Sequence, residues 1–166
     1  MKVYTKTGDE GTTSKYNGER VPKDDPIIIL GNKIDFLLGA LDSSLAILKE
    51  DELVKLLENI EKKLWQTAGE ISLGKPGKNV TDAVSDSDVE ALEENIDKFN
   101  QKTNFFVRFR KETSVRLNEA RLRCRDLEIA LTPSLRETKV RSVVYKYINR
   151  LSDLLYVLAC FEEKKA

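Results

Sequence analysis

Apolar residues recur at spacings of three and four along most of the chain, a pattern typical of amphipathic helices. Five segments carry this pattern, and each is bounded by turn or capping residues. They cover about residues 27–49, 51–71, 85–99, 112–131 and 140–161. Five helices with short connections indicate an all-α, up-and-down bundle. Residues 27–166 therefore form a bundle within a single domain that spans residues 1–166.

Local sequence features predict where these helices begin and end. The glycine- and proline-rich stretch 73–78 predicts a loop, and Ser85 to Asp88 supply capping residues for the third helix. Pro133 predicts the end of the fourth helix, because proline also biases the preceding Thr132 away from helical geometry. Ser134 with Glu137 then predicts a capping box for the fifth helix.

The fourth and fifth helices each carry an apolar heptad seam, a pattern typical of helices packed against neighbours. The seam of the fourth helix consists of Leu117, Ala120, Cys124, Leu127 and Leu131. The seam of the fifth consists of Val140, Val144, Tyr147, Leu151, Leu154, Leu158 and Phe161. A chain of 166 residues is long enough to bury a core formed by these seams without disulfides or a structural metal.

Residues 1–26 show neither helical periodicity nor clean alternation, so we expect an extended or looped head. Within it, Thr5 to Ser14 contain two glycines, Lys6 and several hydroxyl side chains. Successive backbone N–H groups in such a loop can form a nest for an anion. The segment matches neither a Walker A motif nor a Rossmann fingerprint. A flexible terminus is the alternative interpretation of the same residues.

Composition narrows the possible functions. Basic and acidic residues number 28 each, so the formal net charge is +0 and no basic field favours nucleic acid. The absence of histidine excludes Ser-His and Cys-His hydrolase mechanisms and a histidine-ligated zinc site. Two isolated cysteines, no signal peptide and no apolar run near 18 residues predict a cytoplasmic protein that does not enter a membrane.

The fourth helix carries the most informative polar residues. Arg121, Arg125 and Glu128 follow one another at i, i+4 and i+7, so they share one face beside the apolar seam. Arginine offers a planar, permanently charged set of donors that suits phosphate. Surface ion pairs within the helix are the alternative interpretation, and spacing does not decide between the two.

Two other helices contribute candidates of the same kind. Asn149 and Asp153 lie one turn apart on the fifth helix, on the side away from its apolar stripe. Asp35 borders the apolar stripe of the first helix, where a buried aspartate would need a partner. An arginine on a neighbouring helix is the natural partner, and a partly exposed surface position is the alternative.

Four blocks, in this order, resemble the PduO-type ATP:cob(I)alamin adenosyltransferases over nearly the whole chain. They are Thr5-Lys6-Thr7-Gly8-Asp9-Glu10-Gly11-Thr12-Thr13, Arg20-Val21-Pro22-Lys23-Asp24-Asp25-Pro26, Arg121 with Arg125 and Glu128, and Tyr147-Ile148-Asn149-Arg150-Leu151-Ser152-Asp153-Leu154-Leu155-Tyr156. The resemblance implies a ferritin-like five-helix bundle that transfers the 5′-deoxyadenosyl group of ATP to the cobalt of cob(I)alamin and releases triphosphate. It further implies Mg²⁺ on the phosphates and a homotrimer with its sites between subunits.

The same resemblance assigns roles by position. The head residues expected to wrap the triphosphate are Thr5, Lys6, Thr7, Gly8, Gly11, Thr12, Thr13 and Lys23. Arg125, Glu128 and Asn149 would hold the nucleotide and its phosphates. Arg121 would pair with Asp35 across the subunit interface, which orders the site. With Arg125 and Asn149, these two residues are the candidate catalytic residues. No protein ligand for the metal is assigned.

The corrinoid side is the less regular part of the resemblance. Phe105 falls where the family places an aromatic residue under the corrin ring. It is followed by Phe106-Val107-Arg108-Phe109-Arg110, where relatives carry a Leu-Pro-Gly-Gly turn. Asp126 stands where many relatives carry a second arginine. These differences leave open an ATP-binding helical oligomer without a corrinoid site, and a purely structural helical oligomer is a third interpretation.

Overall fold

The structure is a computed structural model that describes residues 3–73, 83–100, 107–137 and 140–165. Five helices make up most of it, which confirms the predicted all-α bundle. They are α1 (Pro26–Leu45), α2 (Asp51–Leu73), α3 (Asp86–Phe99), α4 (Glu112–Arg136) and α5 (Ser142–Lys164). Helix α1 packs against α2 and α4, and α5 packs against α3 and α4. Within these residues, no helix has the length and apolarity needed to cross a membrane.

The two predicted heptad seams form the centre of the core. Every seam residue of α4 is buried, and so is every seam residue that lies in α5 except Phe161, which is partly buried. Val140, predicted as part of the seam of the fifth helix, is buried but lies before the start of α5. On α1, the predicted stripe residues Ile34, Leu37 and Leu41 have no exposed surface. Burial of one leucine-sized side chain stabilises the folded chain by about 1.5–3 kcal/mol. Helix α4 therefore lies at the centre of the bundle, between α1 and α5.

Acidic side chains cap two of the helices at their N-termini. The Asp25 carboxylate accepts the backbone N–H of Ile27 over 2.9 Å at the start of α1. At α3, the Asp88 carboxylate accepts the backbone N–H of Ser85 over 2.8 Å and its hydroxyl over 2.7 Å. The predicted cap of the third helix is thus confirmed, with aspartate in place of the usual glutamate of a capping box.

Helix α1 ends at Leu45, four residues before its predicted end. Beyond it, the backbone N–H groups of Ile47 and Leu48 both bond to the Ser44 carbonyl, at 3.2 and 3.1 Å. Two donors that share one acceptor tighten the chain into a turn, so the helix does not continue to Lys49. Burial of Leu48 explains why the apolar pattern persists past the end of the helix.

The prediction that the fourth helix ends at Pro133 is wrong, because α4 continues to Arg136. A proline inside a helix removes one hydrogen bond, here to the carbonyl of Ile129. Ile129 is exposed, so water can reach that side of the helix. The regular pattern resumes at once, since the Glu137 N–H bonds to the Pro133 carbonyl over 3.1 Å.

The predicted capping box of the fifth helix is wrong for the same reason. Ser134 is a buried residue inside α4, and Glu137 is the residue that follows the end of that helix. Helix α5 begins at Ser142, after Arg141, and Arg141 makes no side-chain capping bond to it. Burial of Leu131 and Ser134 holds the last turn of α4 in place despite the proline.

The head contains a short hairpin that the sequence did not indicate. Strand β1 (Thr12–Ser14) pairs antiparallel with β2 (Arg20–Pro22). Gly18 adopts a φ of 85° in the turn between them, a conformation that favours glycine. The backbone N–H of Tyr16 donates to the Ser72 hydroxyl over 3.1 Å, which ties the hairpin to the end of α2.

A buried ion pair joins α2, α5 and the segment before α3. Arg141 donates from Nε and Nη2 to the two carboxylate oxygens of Glu70, over 2.7 and 2.8 Å. Arg141 also donates to the Val84 carbonyl over 3.0 Å, and the Ala83 N–H reaches Glu70 over 3.3 Å. Glu70 is only 6% exposed, so loss of Arg141 would leave a buried charge and cost about 3–5 kcal/mol.

Candidate functional site

Glu128 of α4 and Asn149 of α5 are in direct contact where the two helices meet. The Asn149 Nδ2 donates to Glu128 Oε1 over 2.6 Å, and both side chains are half-buried. One turn before Glu128, the Cys124 thiol donates to the Ile148 carbonyl over 3.2 Å. That bond joins α4 and α5 next to the Glu128–Asn149 contact. The structure thus brings together two predicted site residues that are 21 positions apart.

The Cys124 thiol is a structural donor and not a nucleophile. Burial raises the pKa of this thiol far above its usual range, and the nearby carboxylates of Glu128 and Asp153 raise it further. Because the thiolate is the reactive form, a thiol held protonated has little reactivity. Cys124 therefore has a structural role: its bond to the Ile148 carbonyl holds α4 and α5 together beside the Glu128–Asn149 contact.

The two arginines of the same helix face have different surroundings. Arg125 is exposed beside Glu128. Arg121 is half-buried, with its guanidinium 5.3 Å from the centre of the Tyr156 ring on α5 and its Nη1 donating to Asn118 Oδ1 over 3.1 Å. The junction of α4 and α5 therefore carries two cations, Arg121 held against an aromatic ring and Arg125 exposed to solvent.

Asp35 lies on the opposite side of α4 from this junction. It is exposed and lines a cavity of about 280 Å³ between α1 and α4. The residues around the cavity are Asp35, Phe36, Gly39, Ala40, Ser43, Arg116, Glu119 and Arg123. Arg123 stacks over Phe36 at 5.4 Å, whereas Arg121 stacks on α5. Asp35 and Arg121 therefore do not pair within one chain.

The head forms a compact loop around two left-handed residues. Lys6 and Gly11 have φ values of 61° and 77°. The Thr5 and Thr7 hydroxyls are 2.9 Å apart, and the Lys23 N–H donates to the Gly11 carbonyl over 2.9 Å. This geometry, with hydroxyls and backbone amides in close succession, is suited to an anion.

Lys23 supplies the cation of the head. A Cβ added to Gly8 would come within 3.3 Å of Lys23 Nζ, so the glycine leaves room for the ammonium group. Lys23 and Thr13 also line a cavity of about 300 Å³ with Ile28, Ile29 and Asn32 from the first turns of α1. These three α1 residues are not among the predicted site residues. Asn32, a polar residue near the apolar start of α1, is the sequence feature that could have indicated them.

A sequence model of the family described as cobalamin adenosyltransferase matches residues 3–162. The chain belongs to the cobalamin adenosyltransferase family. It is 36% identical over 171 residues to the corrinoid adenosyltransferase PduO of Citrobacter freundii, a match that covers 100% of this chain and 51% of that protein. It is also 31% identical over 167 residues to a second corrinoid adenosyltransferase of Citrobacter freundii, covering 98% of this chain and 95% of that protein. The chain thus spans about half the length of the PduO relative and nearly all of the second.

Solved structures show the same adenosyltransferase fold. A variant of the PduO-type ATP:corrinoid adenosyltransferase from Lactobacillus reuteri, complexed with cobalamin and ATP, superposes with a TM-score of 0.84 at 23% identity. The superposition covers 98% of this chain and 93% of that one. Another variant of the Lactobacillus reuteri enzyme, complexed with ATP, gives a TM-score of 0.85. The five-helix arrangement is therefore that of the family.

Asp126, which follows Arg125 on α4, lies on the side of the helix that faces α1. Its Oδ2 lies 2.6 Å from the Nζ of Lys33, so the residue joins α4 to α1. Asp126 therefore points toward α1, away from the Glu128–Asn149 contact on the α5 side. Lys33 offsets part of this negative charge, and the carboxylate remains the sequence neighbour of Arg125.

Phe105 lies outside the described residues, but the segment that follows it is held by α5. The Phe109 ring packs edge-on against Tyr156, with 6.3 Å between ring centres. One carboxylate oxygen of Glu163 accepts the backbone N–H groups of Arg110 and Lys111, over 2.9 and 3.1 Å. These contacts anchor the chain just before α4, and no sequence pattern predicted them.

Proposed function

We propose that this chain transfers the 5′-deoxyadenosyl group of ATP to cob(I)alamin and releases triphosphate. The observation that supports this most directly is the Asn149–Glu128 contact beside Arg125. It joins at one surface two sequence blocks that resemble the family's nucleotide-binding residues. The relatives named above are corrinoid adenosyltransferases, and the chain shares their fold.

The reaction needs alignment and charge stabilisation more than proton transfer. The cobalt of cob(I)alamin attacks C5′ of ATP, and its electron pair forms the cobalt–carbon bond. The C5′–O bond breaks, and its electron pair leaves with the triphosphate. A chain without histidine can serve this chemistry, because no general base is required. Preorganised cations at the leaving group and correct orientation of C5′ supply the rate enhancement.

The residues fall into two groups in this mechanism. Lys23, with the amides and hydroxyls of residues 5–13, binds the triphosphate and offsets the charge that develops on it. Arg125 adds a second cation, and Glu128 with Asn149 orients the nucleoside. Because Glu128 is fixed by Asn149 over 2.6 Å, little reorganisation is needed when ATP binds.

Mg²⁺ on the phosphates completes the proposed nucleotide complex. This ion usually keeps several waters and is held by substrate phosphates with one or two carboxylates. The described part of the chain contains no group of three or more potential metal ligands. Such a group is not required, because the triphosphate itself supplies most of the oxygen ligands.

We propose that the functional form is a homotrimer in which Arg121 pairs with Asp35 of the partner subunit. The two residues lie on opposite sides of α4, so one chain offers each to a different neighbour. A contact between two different surfaces closes into a ring when the rotation allows it. This arrangement brings the head of one subunit to the α4–α5 junction of the next.

Exposed apolar residues support such an interface. On α4, Val115, Leu122 and Ile129 repeat every seven residues and are 44%, 54% and 68% exposed. On α1, Ile29 and Phe36 are 40% and 52% exposed. A second copy of the chain would cover this stripe.

The two cysteines are free and buried, which fits the reducing cytoplasm that we propose as the compartment.

Anaerobic turnover tests the proposed function. Purified chain, MgATP and chemically reduced cob(I)alamin should give adenosylcobalamin, followed by absorbance. Arg125→Ala should lower kcat/KM by about 10²–10³ with the fold intact. Arg136→Ala is the matched control, because Arg136 is an exposed arginine in the last turn of the same helix.

The outcomes separate the alternatives. Turnover by the wild type that Arg125→Ala abolishes supports the proposal. MgATP binding without turnover would instead indicate an ATP-binding relative that has lost corrinoid chemistry. Neither binding nor turnover would leave a structural helical oligomer. Phe105→Ala should spare MgATP binding and impair alkylation, and normal alkylation by that variant would remove Phe105 from the site.

A further inference from the structure

Arg20 makes more contacts within the head than any role assigned so far explains. It is the first residue of β2 and pairs with Ser14 of β1 in the hairpin register. Its Nη2 donates to the Thr7 carbonyl and to the Thr12 hydroxyl, and its Nη1 donates to the Ser14 hydroxyl over 3.2 Å. One exposed guanidinium thus joins three points of the loop that precedes it.

Backbone hydrogen bonds hold the far end of this loop better than its middle, since the Lys23 N–H donates to the Gly11 carbonyl over 2.9 Å. Within residues 5–12, Asp9 N–H bonds to the Lys6 carbonyl over 3.4 Å and Gly11 N–H bonds to the Gly8 carbonyl over 3.2 Å. Both bonds are long for a backbone hydrogen bond. Ordering backbone residues costs conformational entropy, so a loop that is not already ordered would bind a ligand more weakly.

The guanidinium of Arg20 is suited to holding this loop. Its five donors are fixed in one plane, so it can bind several acceptors at once without rearrangement. The donors observed here point to acceptors of the chain, whereas Lys23 places its ammonium beside Gly8. Arg20 and Lys23 therefore have different surroundings: Lys23 places its ammonium beside Gly8, and Arg20 bonds to Thr7, Thr12 and Ser14.

We propose that Arg20 is a positioning residue that holds residues 7–14 in the conformation that binds the triphosphate of ATP. The inference rests on the proposed function, because it assumes that the head binds phosphates. It adds that the two residues have different roles: Lys23 interacts with the charge of the ligand, and Arg20 holds the conformation of the loop. Arg20 itself need not touch the ligand.

The test measures MgATP binding by titration calorimetry on the full chain, with three variants. Arg20→Ala and Arg20→Lys should each raise the Kd about tenfold, since lysine keeps the charge but cannot bind three acceptors in one plane. Lys15→Ala is the control, because Lys15 pairs with Glu19 and Asp25 at 3.5 and 3.8 Å in the same hairpin. Its Kd should stay within about twofold of the wild type. The KM for cob(I)alamin should not change in any of them.

A double-mutant cycle with Ser14→Ala gives a second measurement, which does not depend on the full tenfold rise in Kd. If Arg20 acts through the loop, Arg20→Ala and Ser14→Ala together should weaken binding less than the product of their separate effects. Multiplicative effects would overturn the inference. Wild-type affinity in Arg20→Lys would also overturn it, because charge alone would then explain the effect of Arg20. Wild-type affinity in Arg20→Ala would overturn it as well. A wild-type chain that does not bind MgATP would overturn the proposed function first and this inference with it.

Discussion

Lys33 on α1 and Asp126 on α4 form an ion pair with 2.6 Å between Nζ and Oδ2, one residue away from Arg125 in sequence. The Asp126 side chain is about half exposed, so the pair contributes at most about 1 kcal/mol to stability. Its larger effect is electrostatic, because it places a carboxylate near a cation expected to bind phosphate.

Asp126→Asn should therefore bind MgATP about two- to fivefold more tightly at low ionic strength, because a negative charge near the phosphates is removed and Lys33 is released. The gain should shrink in about 0.5 M salt, as screened interactions do. Calorimetry at both salt concentrations checks this. Asp97→Asn, an exposed aspartate on α3, is the control and should change nothing. Unchanged or weaker binding by Asp126→Asn would show that Asp126 is too far from the phosphates to matter.

Exchanging the charges of Asp35 and Arg121 tests the proposed subunit contact. Asp35→Arg and Arg121→Asp should each raise the subunit dissociation constant at least about tenfold, which corresponds to ~1.4 kcal/mol, because like charges would then meet. The double variant should recover assembly. Sedimentation over a range of concentrations gives the measurement, and Glu90→Arg on α3 controls for charge reversal at an exposed site. Independent, additive effects of the two changes would mean that the residues do not pair.

Glu163 should make the segment before α4 sensitive to acid. Its bonds with the Ser114 hydroxyl and with the amides of Arg110 and Lys111 lower the pKa of this carboxyl below 4.5. A lowered pKa gives stability that is present above pH 4.5 and is lost as pH falls through the folded-state value. Glu163→Gln should thus lower Tm at pH 7, and the difference from wild type should shrink as the pH falls below 4.5.

Amide exchange at Arg110 and Lys111 checks the same contact directly. Protection of both amides should fall in Glu163→Gln at pH 7. Asp88→Asn is a matched control, because it removes a capping carboxylate from α3 without touching this segment. If Glu163→Gln keeps full protection at Arg110 and Lys111, the carboxylate does not anchor them.

Glu61 on α2 should have the opposite pH dependence. Burial, followed by the nearby carboxyl groups of Asp42 and Glu58, raises the pKa of this carboxyl to about 7. A raised pKa means that stability is fully present below pH 4.5 and declines as pH rises to about 7, because the unfolded chain ionises first. Within the described residues, Glu61 Oε1 is buried without a hydrogen-bond partner, which agrees with a carboxyl that resists ionisation.

Glu61→Gln should therefore match the wild type at pH 4 and be more stable at pH 8 by about 1 kcal/mol, since water partly screens the half-buried group. That corresponds to a Tm about 2–4 °C higher. Thermal melts across this pH range supply the comparison. A constant difference between the two proteins at all pH values would show that Glu61 titrates normally.

Periodicity predicted the helices well because burial follows helix geometry in a bundle. Residues such as Leu117 and Leu151 are fully buried and were placed by spacing alone. The helix ends were harder to place, since tertiary contacts override local preferences. Pro133 lies inside α4 because Leu131 and Ser134 on either side of it are buried against the bundle.

The site was predictable to the extent that its residues repeat along one helix. Spacing placed Arg121, Arg125 and Glu128 on one face, but it did not reveal that Asn149 meets Glu128. Contacts made by exposed polar groups with distant backbone, such as those of Arg20 and Glu163, leave no periodic trace. The pairing of Asp126 with Lys33 could not be predicted from the sequence either, because an aspartate on a helix surface has no preferred partner at a fixed spacing.

The Glu70–Arg141 pair has a consequence for loop length between α2 and α3. Because Arg141 holds both Glu70 and the Val84 carbonyl, the two ends of the intervening stretch 74–82 are fixed by the fold. The entropy of closing a loop between fixed ends grows only with the logarithm of its length, and doubling the length costs about 0.6 kcal/mol. That cost is small beside the ~3–5 kcal/mol at stake in the buried pair. The pair therefore determines how α2 and the start of α3 are joined to α5, whatever the length of the connection between them.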